Sequence, residues 1–427
     1  MSSKILRRAL GIAAVAALVA TTARAQVPAD IEQGLKKIGQ IVDPACTAKL
    51  YRPLMPKNDF NTYWPPDAPA PVFTGQLYPG VTIMRDQSFG PNPKDVVDIF
   101  MADKGGENRP VLIYVPGGGG NKIEQQDREA NAFYDNIGRW ATKNGMVGVT
   151  VQRHPGRGGD NWDDTGRDIS MAVDYIYDNI KKYHGDPNNM YIWAHSAGNG
   201  PLGMYVGHPD RWKNGVRVKG AIFMSGAPAQ VPGANAGGAG RGAGGPGGAA
   251  NGPQAGSSCG ANGPGANDGR VAGPSGQAQG PAARGGGPGA GPGGPGGAPA
   301  AAGGGAPAAG GGQGRGAGGG GRGPALTPEQ QAERDNLPGF LKTNARIMLA
   351  WGELDPGIQN AEFPAGVIAL HDELCKTEGS KAKDGVGRCP MMHMGKGESH
   401  MGEVFSPDTS DKITTNAVLA FMKGGKK

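Results

Sequence analysis

Short apolar runs recur along the chain with helix-length segments between them, and this alternation limits the available folds more than any other feature. Pro110 to Pro116 (PVLIYVP), Met146 to Gln152 (MVGVTVQ), Asn189 to Ala194 (NMYIWA), Val218 to Gly226 (VKGAIFMSG) and Ala345 to Gly352 (ARIMLAWG) have strand length and are mostly apolar. That is the signature of strands buried on both faces. Asp95 to Ala102 and Arg388 to Met394 read as further strands. Between them lie helix candidates: Glu124 to Thr142, then Gly166 to Tyr183, with Ile169, Val173, Ile176, Tyr177 and Ile180 at helical spacing. The segment from Ser196 to about Gly207, Ala361 to Lys376 and Ser410 to Lys423 complete the set. Strands alternating with helices of this length predict an α/β fold, a mostly parallel central sheet flanked by helices through right-handed βαβ units.

One long stretch does not join this pattern. From 231 to 323 the chain is almost entirely Gly, Ala and Pro, with no aromatic residue. It cannot bury enough apolar surface to offset a backbone-ordering entropy of about 1–2 kcal/mol per residue, so a disordered insertion is expected. The glycines keep no three-residue period, which excludes collagen, and the arginines are too sparse for an RNA-binding Arg-Gly segment. At the N-terminus, Lys4, Arg7 and Arg8 precede an apolar run from Ala9 to Ala20 and then Ala23-Arg24-Ala25, the order of a secretory signal cut after Ala25. The run is too short to span a membrane. The expected organisation is therefore a leader at 1–25, an α/β domain in two parts at 26–230 and 324–427, and the insertion at 231–323.

Export changes the charge and cysteine arguments. The formal charge of +6 falls to +2 once Lys4, Arg7, Arg8 and Arg24 leave with the leader, so electrostatics offer no case for a nucleic-acid partner. In an oxidising compartment Cys375 and Cys389 are close enough in sequence to staple a loop, while Cys46 and Cys259 are left open as free or paired. Whether export uses the general or the twin-arginine route is also open.

The candidate chemistry centres on Ala194-His195-Ser196-Ala197-Gly198, which approximates the G-x-S-x-G nucleophile elbow with alanine in the first position. Ser196 falls where a predicted strand turns directly into a helix, which is the context an elbow demands. A serine nucleophile needs a base, and the base an orienting carboxylate. In chain order after Ser196 come Asp355, in the loop beyond the ARIMLAWG strand with Glu353 as its rival, and His400, in the loop GKGESHMGE before the last helix. The glycine run of VPGGGGN, Val115 to Asn121, follows the PVLIYVP strand and could aim backbone N–H groups at a developing oxyanion. No pair of histidines has zinc-type spacing and the cysteines are scattered, so no metal and no cofactor are expected. His195, beside the serine, is expected to pack or point away.

These motifs resemble the α/β-hydrolase superfamily, in particular the secreted esterase and lipase branch with a His-Gly-Gly-Gly loop. The segment from Asp163 to Gly198 is similar to that of feruloyl-esterase-like and kynurenine-formamidase-like hydrolases. The resemblance implies a Ser196, Asp355, His400 triad with an oxyanion hole from Gly117, Gly118 and the N–H of Ala197. Pro116 stands where that branch has histidine, which removes that residue's bracing hydrogen bonds but keeps the glycine donors. The implied activity is hydrolysis of a carboxylic ester, small-molecule or polysaccharide-linked, through an acyl-enzyme. Amide or formamide hydrolysis by the same triad is the alternative within the enzyme class, and a non-catalytic secreted binding protein on the same fold is the alternative outside it. Tyr63, Trp64 and Tyr78 are candidates for contacting substrate; oligomeric state is open.

Overall fold

A computed structural model of the protein describes residues 27–55, 78–125, 132–154, 161–229, 231–232, 326–356, 362–376 and 389–424, with backbone only at 362–364. The leader, almost all of the 231–323 insertion, Tyr63 and Trp64 lie outside the described residues. The strands are β1 (Val81–Ser88), β2 (Val96–Ala102), β3 (Arg109–Val115), β4 (Val147–Val151), β5 (Gly185–His195), β6 (Gly220–Met224), β7 (Arg346–Gly352) and β8 (Met391–Gly395). They form one sheet in the order β1-β2-β4-β3-β5-β6-β7-β8. β2 runs antiparallel to both β1 and β4, and every pairing from β4 to β8 is parallel. The expected class, a mostly parallel sheet flanked by helices, is the observed one.

The packed helices are α1 (Ala29–Ile38), α2 (Pro44–Tyr51), α3 (Asp135–Lys143), α4 (Asp164–Asn179), α5 (Asn199–Gly207), α6 (Glu362–Cys375), α7 (Gly402–Phe405) and α8 (Ile413–Met422). Successive strand residues face opposite sides of a sheet, so a run with no polar face must have a core on each side. On β3, Val111, Ile113 and Val115 join the cluster with Ile169 and Val173 of α4, Leu202 of α5 and Leu370 of α6. Leu112 and Tyr114 join the opposite one, with Leu35 of α1, Tyr51 of α2, Ile137 of α3 and Val418 of α8.

The structure adds local detail to these expectations. Of the helix expected over Glu124 to Thr142, the described residues are helical from Asp135, while Glu124 pairs with Phe133 as an isolated bridge and Tyr134 turns to φ 75° ahead of the helix. Tyr78 is buried: it donates to Asp135 at 2.9 Å and lies under the Arg139 guanidinium at 4.4 Å. Cys375 and Cys389 are bonded as anticipated, and Cys46, left open by the sequence, is disulfide-bonded as well, with its partner outside the described residues. β1 and the two N-terminal helices are additions that no periodicity announced.

Candidate active site

Ser196 sits at φ 52° between the end of β5 and a 3-10 turn, Ser196–Gly198, that leads into α5. A left-handed serine is unusual and tolerated only where its surroundings fix it. Those surroundings are crowded: a Cβ on Gly198 would lie 2.6 Å from the Val115 carbonyl oxygen and 2.8 Å from that of Pro116. A side chain is therefore excluded two residues after the serine. Two residues before it, Ala194 is fully buried between Val115 and Phe223, and its methyl fits within the core. The departure from glycine there is accommodated.

The loop after β3 lies directly against this turn. A Cβ on Gly117 would stand 2.9 Å from the Ser196 Cβ and 3.0 Å from the His195 carbonyl oxygen, so only glycine passes without a shift. Gly118 and Gly120 adopt φ 49° and 84°, and the N–H of Gly120 closes the turn onto the Gly117 carbonyl at 2.9 Å. Bracing comes from a residue not anticipated. Arg153, just past β4, is buried and donates through Nε to the Pro116 carbonyl at 3.1 Å and through Nη2 to those of Gly117 and Gly118 at 3.4 and 2.5 Å.

His400 and Asp355, both buried, meet at the far ends of β8 and β7, with His400 Nδ1 2.9 Å from Asp355 Oδ2. Gly352 lets the histidine loop approach, since a Cβ there would lie 2.6 Å from the Glu398 carbonyl oxygen. That same carbonyl accepts the N–H of Leu354 at 2.8 Å. Glu353 points elsewhere: its Oε2 accepts the N–H of Gly397 at 2.8 Å, which ties it to the turn after β8. Of the two candidate acids, Asp355 is the one beside the imidazole.

Two further buried groups surround His400. His195 does not point away. Its Nε2 donates to the His400 carbonyl oxygen at 2.7 Å, and the two rings lie 4.6 Å apart. Burial, helped by His400, pulls its pKa down to about 3, so it is a neutral spacer with a fixed tautomer. Glu403 of α7 hydrogen-bonds Ser225, which has φ 53° at the end of β6. Burial first, and Asp355 second, push its carboxyl well above the ordinary range, which favours its protonated form. Neither was legible as a motif; the one signal available was that both flank predicted triad residues in the chain.

For a cation, Asp95, His154 and Asp168 bring donor atoms within 4.8 Å of one another. His154 Nδ1 already lies 3.0 Å from Asp168 and 3.5 Å from Asp95, which is an internally paired arrangement. The grouping of His371 with Cys375 and Cys389 offers no thiolates, because the two sulfurs are bonded to each other.

Residues 97–211 match the BD-FAE family model, which describes esterase-like α/β hydrolases. No curated protein matches the chain. Among solved structures, the Geobacillus stearothermophilus carboxylesterase is similar at 18% identity and a TM-score of 0.28, over 36% of this chain and 41% of that one. Esterase B from Lactobacillus rhamnosis is similar at 14% identity and a TM-score of 0.28, over 34% of this chain and 49% of its own. An α/β hydrolase from a Medee basin deep-sea metagenome is similar at 18% identity and a TM-score of 0.27, over 35% and 58%. The chain thus spans between 41% and 58% of the length of these proteins. The segment from Val97 to Arg211 is similar to the esterase-like BD-FAE α/β hydrolases, and it holds the glycine loop, Arg153 and the Ser196 turn.

Proposed function

We propose that the protein is an exported serine hydrolase that cleaves carboxylic esters through an acyl-enzyme. The observation that carries this reading is the buried His400–Asp355 hydrogen bond of 2.9 Å at the strand ends that also hold Ser196. With Nδ1 engaged by Asp355, Nε2 is the ring atom left to accept a proton. Ser196 Oγ attacks the ester carbonyl carbon while its proton passes to Nε2. The carbonyl oxygen becomes an oxyanion held by the N–H groups of Gly117, Gly118 and Ala197. Collapse breaks the bond to the alcohol oxygen, which takes the proton from Nε2 as it leaves. Water, deprotonated by the same nitrogen, then attacks the acyl-serine and releases the acid. Asp355 stabilises the imidazolium and fixes its tautomer throughout. Export is supported by the Cys375–Cys389 bond and by the bonded Cys46, since disulfides persist in oxidising compartments.

The reading is tested with a small aryl ester such as p-nitrophenyl butyrate. Ser196→Ala should remove turnover while shifting the melting temperature little, because one hydroxyl is lost from a partly exposed turn. Turnover that survives in this variant would place the nucleophile elsewhere.

A further inference from the structure

Arg153 is buried at 7% relative exposure, and among the described residues it pairs with no carboxylate. Burial pulls its pKa down, and the hydroxyls of Tyr134 and Tyr114 act on it in the opposite sense. An arginine does not shed its proton in a protein, so this position holds a permanent cation, and among the described residues its side chain donates to backbone carbonyls. Those carbonyls belong to the loop proposed to hold the oxyanion: Pro116, Gly117 and Gly118, with the His154 carbonyl accepting from Nη1 at 3.3 Å. The backbone N–H of Arg153 also donates to the Gly120 carbonyl at 2.8 Å, so the loop is held at both ends by one residue.

Geometry gives this bracing a direction. In a planar trans peptide the C=O and the following N–H point to opposite sides. A guanidinium that gathers the carbonyls of 116, 117 and 118 therefore turns the N–H groups of 117, 118 and 119 away from itself, while Gly117 packs on Ser196. We propose that Arg153 is the positioning residue of the oxyanion hole, bracing the loop at Pro116, Gly117 and Gly118 and placing a positive charge behind the loop that receives the negative charge of the tetrahedral intermediate. This rests on the serine-hydrolase reading above. It assigns the loop's transition-state preference to a side chain that never touches substrate.

The test compares Arg153→Lys and Arg153→Ala with the unaltered protein and with Ser196→Ala, using p-nitrophenyl butyrate turnover and inhibition by an alkyl trifluoromethyl ketone, whose serine adduct carries an oxyanion. Arg153→Ala should lower kcat about 10²-fold, with KM changed by less than about threefold, because the interaction is made in the transition state. Affinity for the ketone should fall by a similar factor. Arg153→Lys, which keeps the charge but cannot reach three carbonyls, should fall between. Millimolar methylguanidinium should restore part of the turnover of Arg153→Ala and leave the unaltered protein unchanged, a result that mere destabilisation would not produce. Thermal unfolding of each variant fixes the folded fraction to which kcat is referred. A folded Arg153→Ala with kcat within about twofold of the unaltered protein overturns the proposal, as does a loss without guanidinium rescue and without weaker ketone binding. Residual activity in Ser196→Ala would instead overturn the underlying reading, so the two failures are separable.

Discussion

The two halves of the candidate site handle buried charge in opposite ways. On the side of the glycine loop, Arg153 is a cation surrounded by carbonyl oxygens. On the side of His400, Glu398 and Glu403 are carboxyls that burial pushes well above their ordinary pKa, Glu398 with further help from Asp411 and Glu403 from Asp355. An arginine cannot neutralise itself by losing a proton, whereas a buried carboxyl neutralises itself by keeping one. Arg153 therefore stays charged at every working pH. The histidine side is a hydrogen-bonded frame, its carboxyls biased toward the neutral form, around one acid–base pair. That division matches the charge separation of acyl transfer, an oxyanion at one end and an imidazolium at the other.

The comparison breaks most easily at Asp355. Asp355→Asn should lower kcat by about 10³-fold, since the amide favours the wrong imidazole tautomer and cannot stabilise the imidazolium. Glu353→Gln should change it less than about twofold, because Glu353 is spent on the Gly397 N–H. Steady-state rates of the two variants decide the matter, and the reverse ranking would transfer the acid role to Glu353.

On the loop side, steric rather than proton chemistry sets the effect. Gly117→Ala brings a methyl to 2.9 Å from the Ser196 Cβ, and relieving that contact should cost about 1–3 kcal/mol. A fall in kcat/KM of roughly ten- to a hundredfold should follow. Gly118→Ala meets open space and bears only the left-handed backbone penalty of about 1–2 kcal/mol, so its loss should be smaller. Equal losses would mean that contact with Ser196 is not what the glycine at 117 secures.

The histidine side should reveal itself through stability against pH. A carboxyl whose pKa is higher folded than unfolded binds more protons in the folded state. Its contribution is then complete below the ordinary value of 4.5 and is lost as pH rises through the raised folded value. The melting temperature should therefore decline as pH rises above 4.5, and Glu398→Gln, which also keeps a partner for Tyr51, should flatten the decline. A variant whose pH dependence parallels that of the unaltered protein would show that Glu398 is ionised in the fold. The smallest effect is expected at Glu403→Gln. A neutral amide replaces a neutral acid beside Ser225, and kcat at neutral pH should stay within about threefold as measured on the aryl ester.

Much of this could be read from the chain because it is encoded locally. Runs such as PVLIYVP carry two-sided burial in their own composition, and Gly117 and Gly198 carry the crowding of the elbow. The order of Ser196, Asp355 and His400 came with the resemblance to α/β hydrolases, with the strand ends giving Asp355 its place. The parts that escaped are long-range. His195 is defined by a carbonyl 205 residues away, Ser225 by a carboxyl 178 residues away, and Arg153 by a loop 35 to 37 residues before it. β1 escaped for another reason. As an edge strand with a bulge between Met84 and Gln87 and several polar residues, it has no clean period of two.

The central claim is that Ser196 is a nucleophile activated by His400. It is tested most directly by treating the purified protein with a fluorophosphonate probe and locating the modified residue by peptide mass mapping. Modification should fall on Ser196 alone, and His400→Ala should slow it by orders of magnitude while the protein remains folded. A probe that modifies another residue, or one that reacts with Ser196 at the same rate after His400→Ala, would contradict it.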